Sequence, residues 1–149
     1  MIYWDHNAGA LLEPSVAEVL SRAYAAAGGN PSSVHGAGRA VRRQLDAARE
    51  QVASILGCTP REVAFTGSGS EAAAIAIVGA FRARKDRSKK RVVTTSLEHP
   101  CVLGAVKVLE EEGAEVVRVA PAADGAVPLE TLLAALTPQT AICSVQWVN

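Results

Sequence analysis

Apolar positions along this chain follow two rhythms. Val41, Leu45, Ala48, Val52 and Ile55 recur at three- and four-residue steps, with Arg42, Arg43, Asp46, Arg49 and Glu50 between them. That period lays one apolar stripe along a helix and predicts one over about Ala37–Leu56, stopped by Gly57. Pro14–Ala27 reads as an earlier helix. Ser70–Arg84 starts almost uniformly apolar, which predicts a buried helix. Pro100 opens a helix that Gly113 ends, and Pro128 opens a short amphipathic helix to Leu136. The second rhythm is short: Glu62–Thr66, Arg91–Thr95, Glu115–Val119 and Thr140–Gln146 are rich in β-branched residues and do not alternate strictly. Such runs predict four strands covered on both faces. Strands alternating with helices predict an α/β fold, a parallel-rich sheet with crossover helices.

The beginning of the chain breaks this alternation. Asp5–Leu12 is irregular, and Gly28-Gly29-Asn30-Pro31-Ser32-Ser33 is a turn-rich loop. Residues 1–33 are therefore expected to form an N-terminal segment and helix packing beside a main domain over 34–149. At the other end, Ser144–Asn149 reads as a strand running into a functional loop, so the sheet is expected to continue past Asn149 and the chain to be cut there.

Composition narrows the function classes. With 49% hydrophobic residues in 149, the chain is long and apolar enough for a packed core. Fifteen basic and fifteen acidic residues cancel, leaving no electrostatic footprint for nucleic acid. The basic cluster Arg82–Arg91 reads as a solvated loop. Three irregularly spaced cysteines make neither a disulfide framework nor a metal site. Cys143, in an apolar run, is expected in the core, and Cys101, at a helix start, is expected to be structural. Met1 leads into Ile2-Tyr3-Trp4-Asp5 without a basic leader, and no run reaches membrane-spanning length, so the expected location is the cytoplasm, away from membranes.

The sharpest chemical feature is Phe65-Thr66-Gly67-Ser68-Gly69-Ser70-Glu71, between an expected strand and a helix. Glycines allow close approach of a ligand to the backbone, and a helix N-terminus offers unbonded N–H groups at a positive dipole end. A phosphate suits that place, with the Ser70 hydroxyl as an added donor. A plain capping box between Ser68 and Glu71 is the competing reading, and the two can coexist because they use different N–H groups. Gly67-x-Gly69-x-x-Ala72 also fits a dinucleotide fingerprint, which would make the chain a nucleotide-binding module with Glu98 as the ribose acid. His99 falls just past the next strand, at the edge where such sheets bind ligands. It can stack on a flat ring or move protons, or simply cap the helix that starts at Pro100. His6 and His35 read as structural loop residues. A third reading is a non-catalytic fragment that pairs through its sheet edge.

Several segments in order resemble the class V aminotransferases, and within them the cysteine desulfurases, which are fold-type I pyridoxal-phosphate enzymes. They are Tyr3-Trp4-Asp5-His6-Asn7-Ala8, Gly29-Asn30-Pro31-Ser32-Ser33-Val34-His35, Ala47-Ala48-Arg49-Glu50-Gln51-Val52, Phe65–Glu71, Glu98-His99-Pro100 and Trp147-Val148-Asn149. The resemblance spans the chain and implies the N-terminal part of the large domain of such an enzyme. It implies pyridoxal 5'-phosphate as cofactor, its phosphate on Gly69 and Ser70, and His99 as the catalytic residue that stacks on the pyridine ring and moves protons. It further implies L-cysteine as substrate, alanine and an enzyme persulfide as products, and sulfur delivery to iron–sulfur cluster assembly. A homodimer and a sulfur-acceptor scaffold are the implied partners. Departures accompany it. Ser70 stands where the family more often has Thr, and Ala8-Gly9-Ala10 replaces Ala-Thr-Thr. The family's Schiff-base lysine, pyridine-pairing aspartate and sulfur-accepting cysteine are expected later than Asn149. Lys85, Lys89, Lys90 and Lys107 do not match that anchor, nor do Cys58, Cys101 and Cys143 match that cysteine.

Overall fold

The computed structural model describes residues 2–6, 8–26 and 28–147. They form two compact units, 1–65 and 66–149. Ala27, the expected last residue of the first helix, and Val148 and Asn149 of the last motif lie outside the described residues, as does Asn7.

The first unit is helical. Helix α1 (Pro14–Ala26) is followed by α2 (Gly36–Leu56), the helix expected from the apolar stripe. His35 caps α2, its side chain accepting the Gly38 N–H at 3.4 Å. The preceding loop lies against that first turn: a Cβ on Gly38 would come within 2.5 Å of the Ser33 carbonyl oxygen and 2.7 Å of that of Asn30. Gly57 ends the helix at φ +68°, and Cys58 N–H reaches back to the Ala53 carbonyl at 3.0 Å. A Cβ at Gly57 meets no atom within 4 Å, so only the left-handed backbone opposes it. Gly57→Ala should therefore cost about 1 kcal/mol, read as a lowered midpoint in thermal unfolding monitored by helix ellipticity. An unchanged midpoint would show that the C-cap does not need a left-handed residue.

Glu62–Thr66 does not form the expected strand. Pro60–Glu62 is a 3-10 turn whose capping box brings the Glu62 carboxylate to the Thr59 N–H and hydroxyl, each at 2.8 Å. Val63 then turns extended, but residues 63–66 join no ladder among the described residues. β-Branched content favours the extended backbone, whereas a strand also requires a hydrogen-bonded neighbour.

The second unit holds the sheet. Strands β1 (Arg91–Thr95), β2 (Glu115–Val119) and β3 (Thr140–Ser144) are parallel in the order β2-β1-β3. Val92 pairs with Val116 and Ile142, and Val93 with Val117 and Cys143. Helix α5 (Pro100–Glu111) connects β1 to β2, and α6 (Leu129–Ala135) connects β2 to β3. A helical rod precedes β1: α3 (Gly69–Ala74), a π-turn over Ile75–Gly79, and α4 (Ala80–Ala83). The rod and α5 pack on the Val92 face of the sheet, where Ile77, Phe81, Ala105, Val106, Leu109 and Ala114 close the core. The rod is not buried all round as its composition suggests. Ile77 and Phe81 are buried, but Ile75 is 53% exposed, because sheet and α5 cover only one of its sides.

Rod and α5 run side by side in the same direction, since Arg82 near the end of one pairs with Glu112 just past the end of the other. The hydrogen bond from Arg82 holds the Glu112 carboxyl below its ordinary range. A lowered folded value means that this pair stabilises at neutral pH and that its contribution is lost as acid titrates Glu112 through that value. Being exposed, it is a clamp on geometry more than on stability.

Candidate functional site

The glycine-rich turn is built from its own side chains. Thr66 Oγ1 donates to the Ser68 carbonyl at 3.1 Å. Ser68 is the extended N-cap of α3, and its Oγ accepts the Glu71 N–H at 3.1 Å. The Glu71 carboxylate turns back to the Gly67 N–H at 2.6 Å. This is the expected capping arrangement, shifted by one residue at the carboxylate end. It satisfies Gly67 and Glu71, while the N–H groups of Gly69 and Ser70 and the Ser70 hydroxyl find no acceptor among the described residues. A Cβ built on Gly69 meets nothing within 4 Å, so the space beside its Cα is open. Two outward N–H groups, a hydroxyl and a helix dipole can hold a tetrahedral anion.

His99 is placed by the next strand. It is the N-cap of α5, with its Nδ1 accepting the Cys101 N–H at 3.2 Å. The Cys101 thiol lies 2.9 Å from the same nitrogen. Cys101, expected to be structural, is thus paired with His99. The pairing spans two residues across Pro100, a spacing that a search for separated catalytic partners passes over. The parallel course of rod and α5 decides how Ser70 and His99 relate. Ser70 precedes Arg82, and His99 precedes Glu112, by nearly equal helical lengths, about 18 and 20 Å at 1.5 Å per residue. Arg82 and Glu112 join the two helices near their C-terminal ends, while Gly69 and Ser70 open the rod and His99 caps the start of α5, directly after β1 and its turn. His35 stays with its cap, and His6 packs edge-on against Tyr3 at 5.0 Å between ring centres.

Glu98 is 5% exposed and accepts the Thr95 hydroxyl at 3.0 Å and the Gln146 N–H at 2.8 Å. It ties the end of β1 to the segment after β3. Gln146 also reaches the Leu97 carbonyl through its side chain, and β3 stops at Ser144 rather than at Gln146. A carboxylate committed in this way cannot present itself to a ribose, and the dinucleotide reading loses its acid. Glu98→Ala should cost about 1–3 kcal/mol by stranding the buried Thr95 hydroxyl and the half-buried Gln146 N–H, and Glu98→Gln less, since the amide oxygen can still accept. Urea denaturation of the two variants checks the order; equal midpoints for Glu98→Ala and the parent would remove this staple.

Cys143 is exposed rather than in the core, because β3 lies at the edge of the described sheet. Partial burial and the charge of Glu98 nevertheless push its thiol up from its ordinary value. Among the described residues no cluster of His, Cys, Asp and Glu has the arrangement of a metal site, and no helix is long and apolar enough to cross a membrane.

Residues 2–149 match the family described as Aminotransferase class-V. The chain belongs to that family. Among class-V relatives, an IscS-like cysteine desulfurase of Mycobacterium tuberculosis (strain ATCC 25618 / H37Rv) is 40% identical over 154 residues, covering all of this chain and 39% of the relative. A cysteine desulfurase of Cereibacter sphaeroides is 39% identical over 150 residues, covering 99% of this chain and 38% of its own length. The solved structure titled "SspA in complex with cysteine" superposes with a TM-score of 0.81 at 31% identity, over 95% of this chain and 41% of that one. The chain thus spans about two fifths of the length of these class-V relatives, and its α/β sheet is a corresponding part of their fold.

Proposed function

We propose that this chain supplies the phosphate cradle and the ring-facing histidine of a pyridoxal-phosphate-dependent cysteine desulfurase. The observation that carries the reading is that two helices packed on the same face of a parallel sheet open with these groups, one with unbonded donors at Gly69 and Ser70 and one capped by His99. The residues fit the cofactor: the open space over Gly69 admits a phosphate, and the exposed imidazole of His99 offers a flat face to a pyridine ring. When bound, pyridoxal phosphate supplies an electron sink for reactions at the carbon atoms of an amino acid.

On this reading Gly69 and Ser70 bind and orient through the phosphate, and His99 lies against the ring and holds a proton at Nε2. Glu98 keeps His99 in position by fixing the turn before it. The proposed substrate is L-cysteine, in keeping with the desulfurases this chain resembles and with the cysteine bound by one structural neighbour. Alanine and an enzyme persulfide are the proposed products, with sulfur passing to iron–sulfur cluster assembly or another acceptor. A homodimer, a sulfur-accepting scaffold and a cytoplasmic setting belong to the same proposal. So does the assignment of residues 34–149 to the large cofactor-binding domain and of 1–33 to a separate N-terminal segment.

Titration of this chain with pyridoxal phosphate, pyridoxal and NAD, followed by ligand absorbance after equilibrium dialysis, tests the reading. Pyridoxal phosphate should bind better than pyridoxal, and NAD should not compete. Binding of NAD with no affinity for pyridoxal phosphate would overturn it in favour of a nucleotide-binding module.

A further inference from the structure

His99 has two ring nitrogens, and the structure occupies only one of them. Pro100, the first residue of α5, has no N–H, so the first amide the His99 side chain can cap is that of Cys101. That amide donates to Nδ1 at 3.2 Å, and the thiol of the same residue lies 2.9 Å from Nδ1. A backbone N–H can only donate. It therefore demands a lone pair on Nδ1, and the thiol sharing that lone pair must give its S–H rather than accept. A neutral imidazole carries one proton, so the proton sits on Nε2, the nitrogen that no described residue engages.

We infer that Cys101 is a positioning residue: amide and thiol together hold Nδ1 as an acceptor, fixing His99 as the Nε2–H tautomer and its ring at the head of α5. This rests on the reading of His99 as the group that faces the cofactor. It adds that the outward nitrogen is presented as a donor, and that a residue two positions along the chain sets it. Cys101 is half-buried and needs no direct contact with a ligand for this role.

The test is long-range 1H–15N NMR of the side-chain nitrogens of His99 in the 15N-labelled chain, without any cofactor. The parent should show an unprotonated Nδ1 and a protonated Nε2. Cys101→Ala should lower the ratio of Nε2–H to Nδ1–H tautomers about fivefold, the factor corresponding to one ordinary hydrogen bond. Cys101→Ser, whose hydroxyl also donates, should restore it, and Cys58→Ala should leave it unchanged. A protonated Nδ1 in the parent would overturn the inference whether or not any variant folds. So would an unchanged ratio in a folded Cys101→Ala chain, or a Cys101→Ser spectrum matching that of Cys101→Ala. Adding pyridoxal phosphate to the same sample separates the two levels: His99 signals that do not move count against the cofactor reading and leave the tautomer result standing.

Discussion

Leu109→Ala is expected to destabilise the sheet-bearing unit by about 2–5 kcal/mol. Leu109 is fully buried on α5, in the cluster that joins Ile77 and Phe81 of the rod to Val92 of the central strand. Truncating its isobutyl group to a methyl loses transfer free energy and leaves a cavity among atoms held by three different elements, which cannot all relax into it. The same cluster sets the rod beside α5, so its loss should also loosen the pairing of Arg82 with Glu112. Urea denaturation followed by ellipticity measures the first effect. Exposed Leu133→Ala serves as the control, expected within about 0.5 kcal/mol of the parent. Equal losses at Leu109 and Leu133 would mean that this cluster is not the core.

Ser70→Ala is expected to weaken pyridoxal phosphate binding by about 1.5–3 kcal/mol, the worth of one hydrogen bond to a charged group. Gly69→Ala should weaken it for another reason. A Cβ there touches no protein atom within 4 Å, so the fold tolerates it, but it projects into the space a phosphate would use. Helix stability should not fall in that variant, since Ala is a better helix former than Gly. Binding and unfolding measured together separate the two effects. A Gly69→Ala chain that unfolds earlier, or one that binds as tightly as the parent, would show that the open space is not the ligand's. Neither change should alter affinity for pyridoxal, which lacks the phosphate.

Periodicity along the chain was enough for most of the elements. The stripe from Val41 to Ile55 specifies α2, and Gly57 ends it, because a 3.6-residue repeat and a left-handed cap are local properties. The β-branched runs at Arg91, Glu115 and Thr140 became strands, and the helices between them leave only parallel pairing within reach. The glycine turn and the His99 cap were legible for the same reason, since a helix start carries its own residue signature. The family resemblance was likewise in the order of the motifs, and residues 2–149 match it.

What required the tertiary structure was every property that depends on a neighbour distant in sequence. Glu62–Thr66 has strand composition, but the Thr59 capping box and the lack of a ladder partner decided otherwise. The rod from Gly69 is apolar on several sides, yet only the side meeting α5 and Val92 is buried, because burial belongs to contacts and not to composition. Cys143 sits in an apolar run and is exposed, because β3 is at the edge of the described sheet. Glu98 reads as a candidate ligand until Gln146, distant in sequence, arrives to take its carboxylate into the interior. Spacing along the chain cannot foresee where a polar group finds its partner, and a buried carboxylate is held where its hydrogen bonds are met.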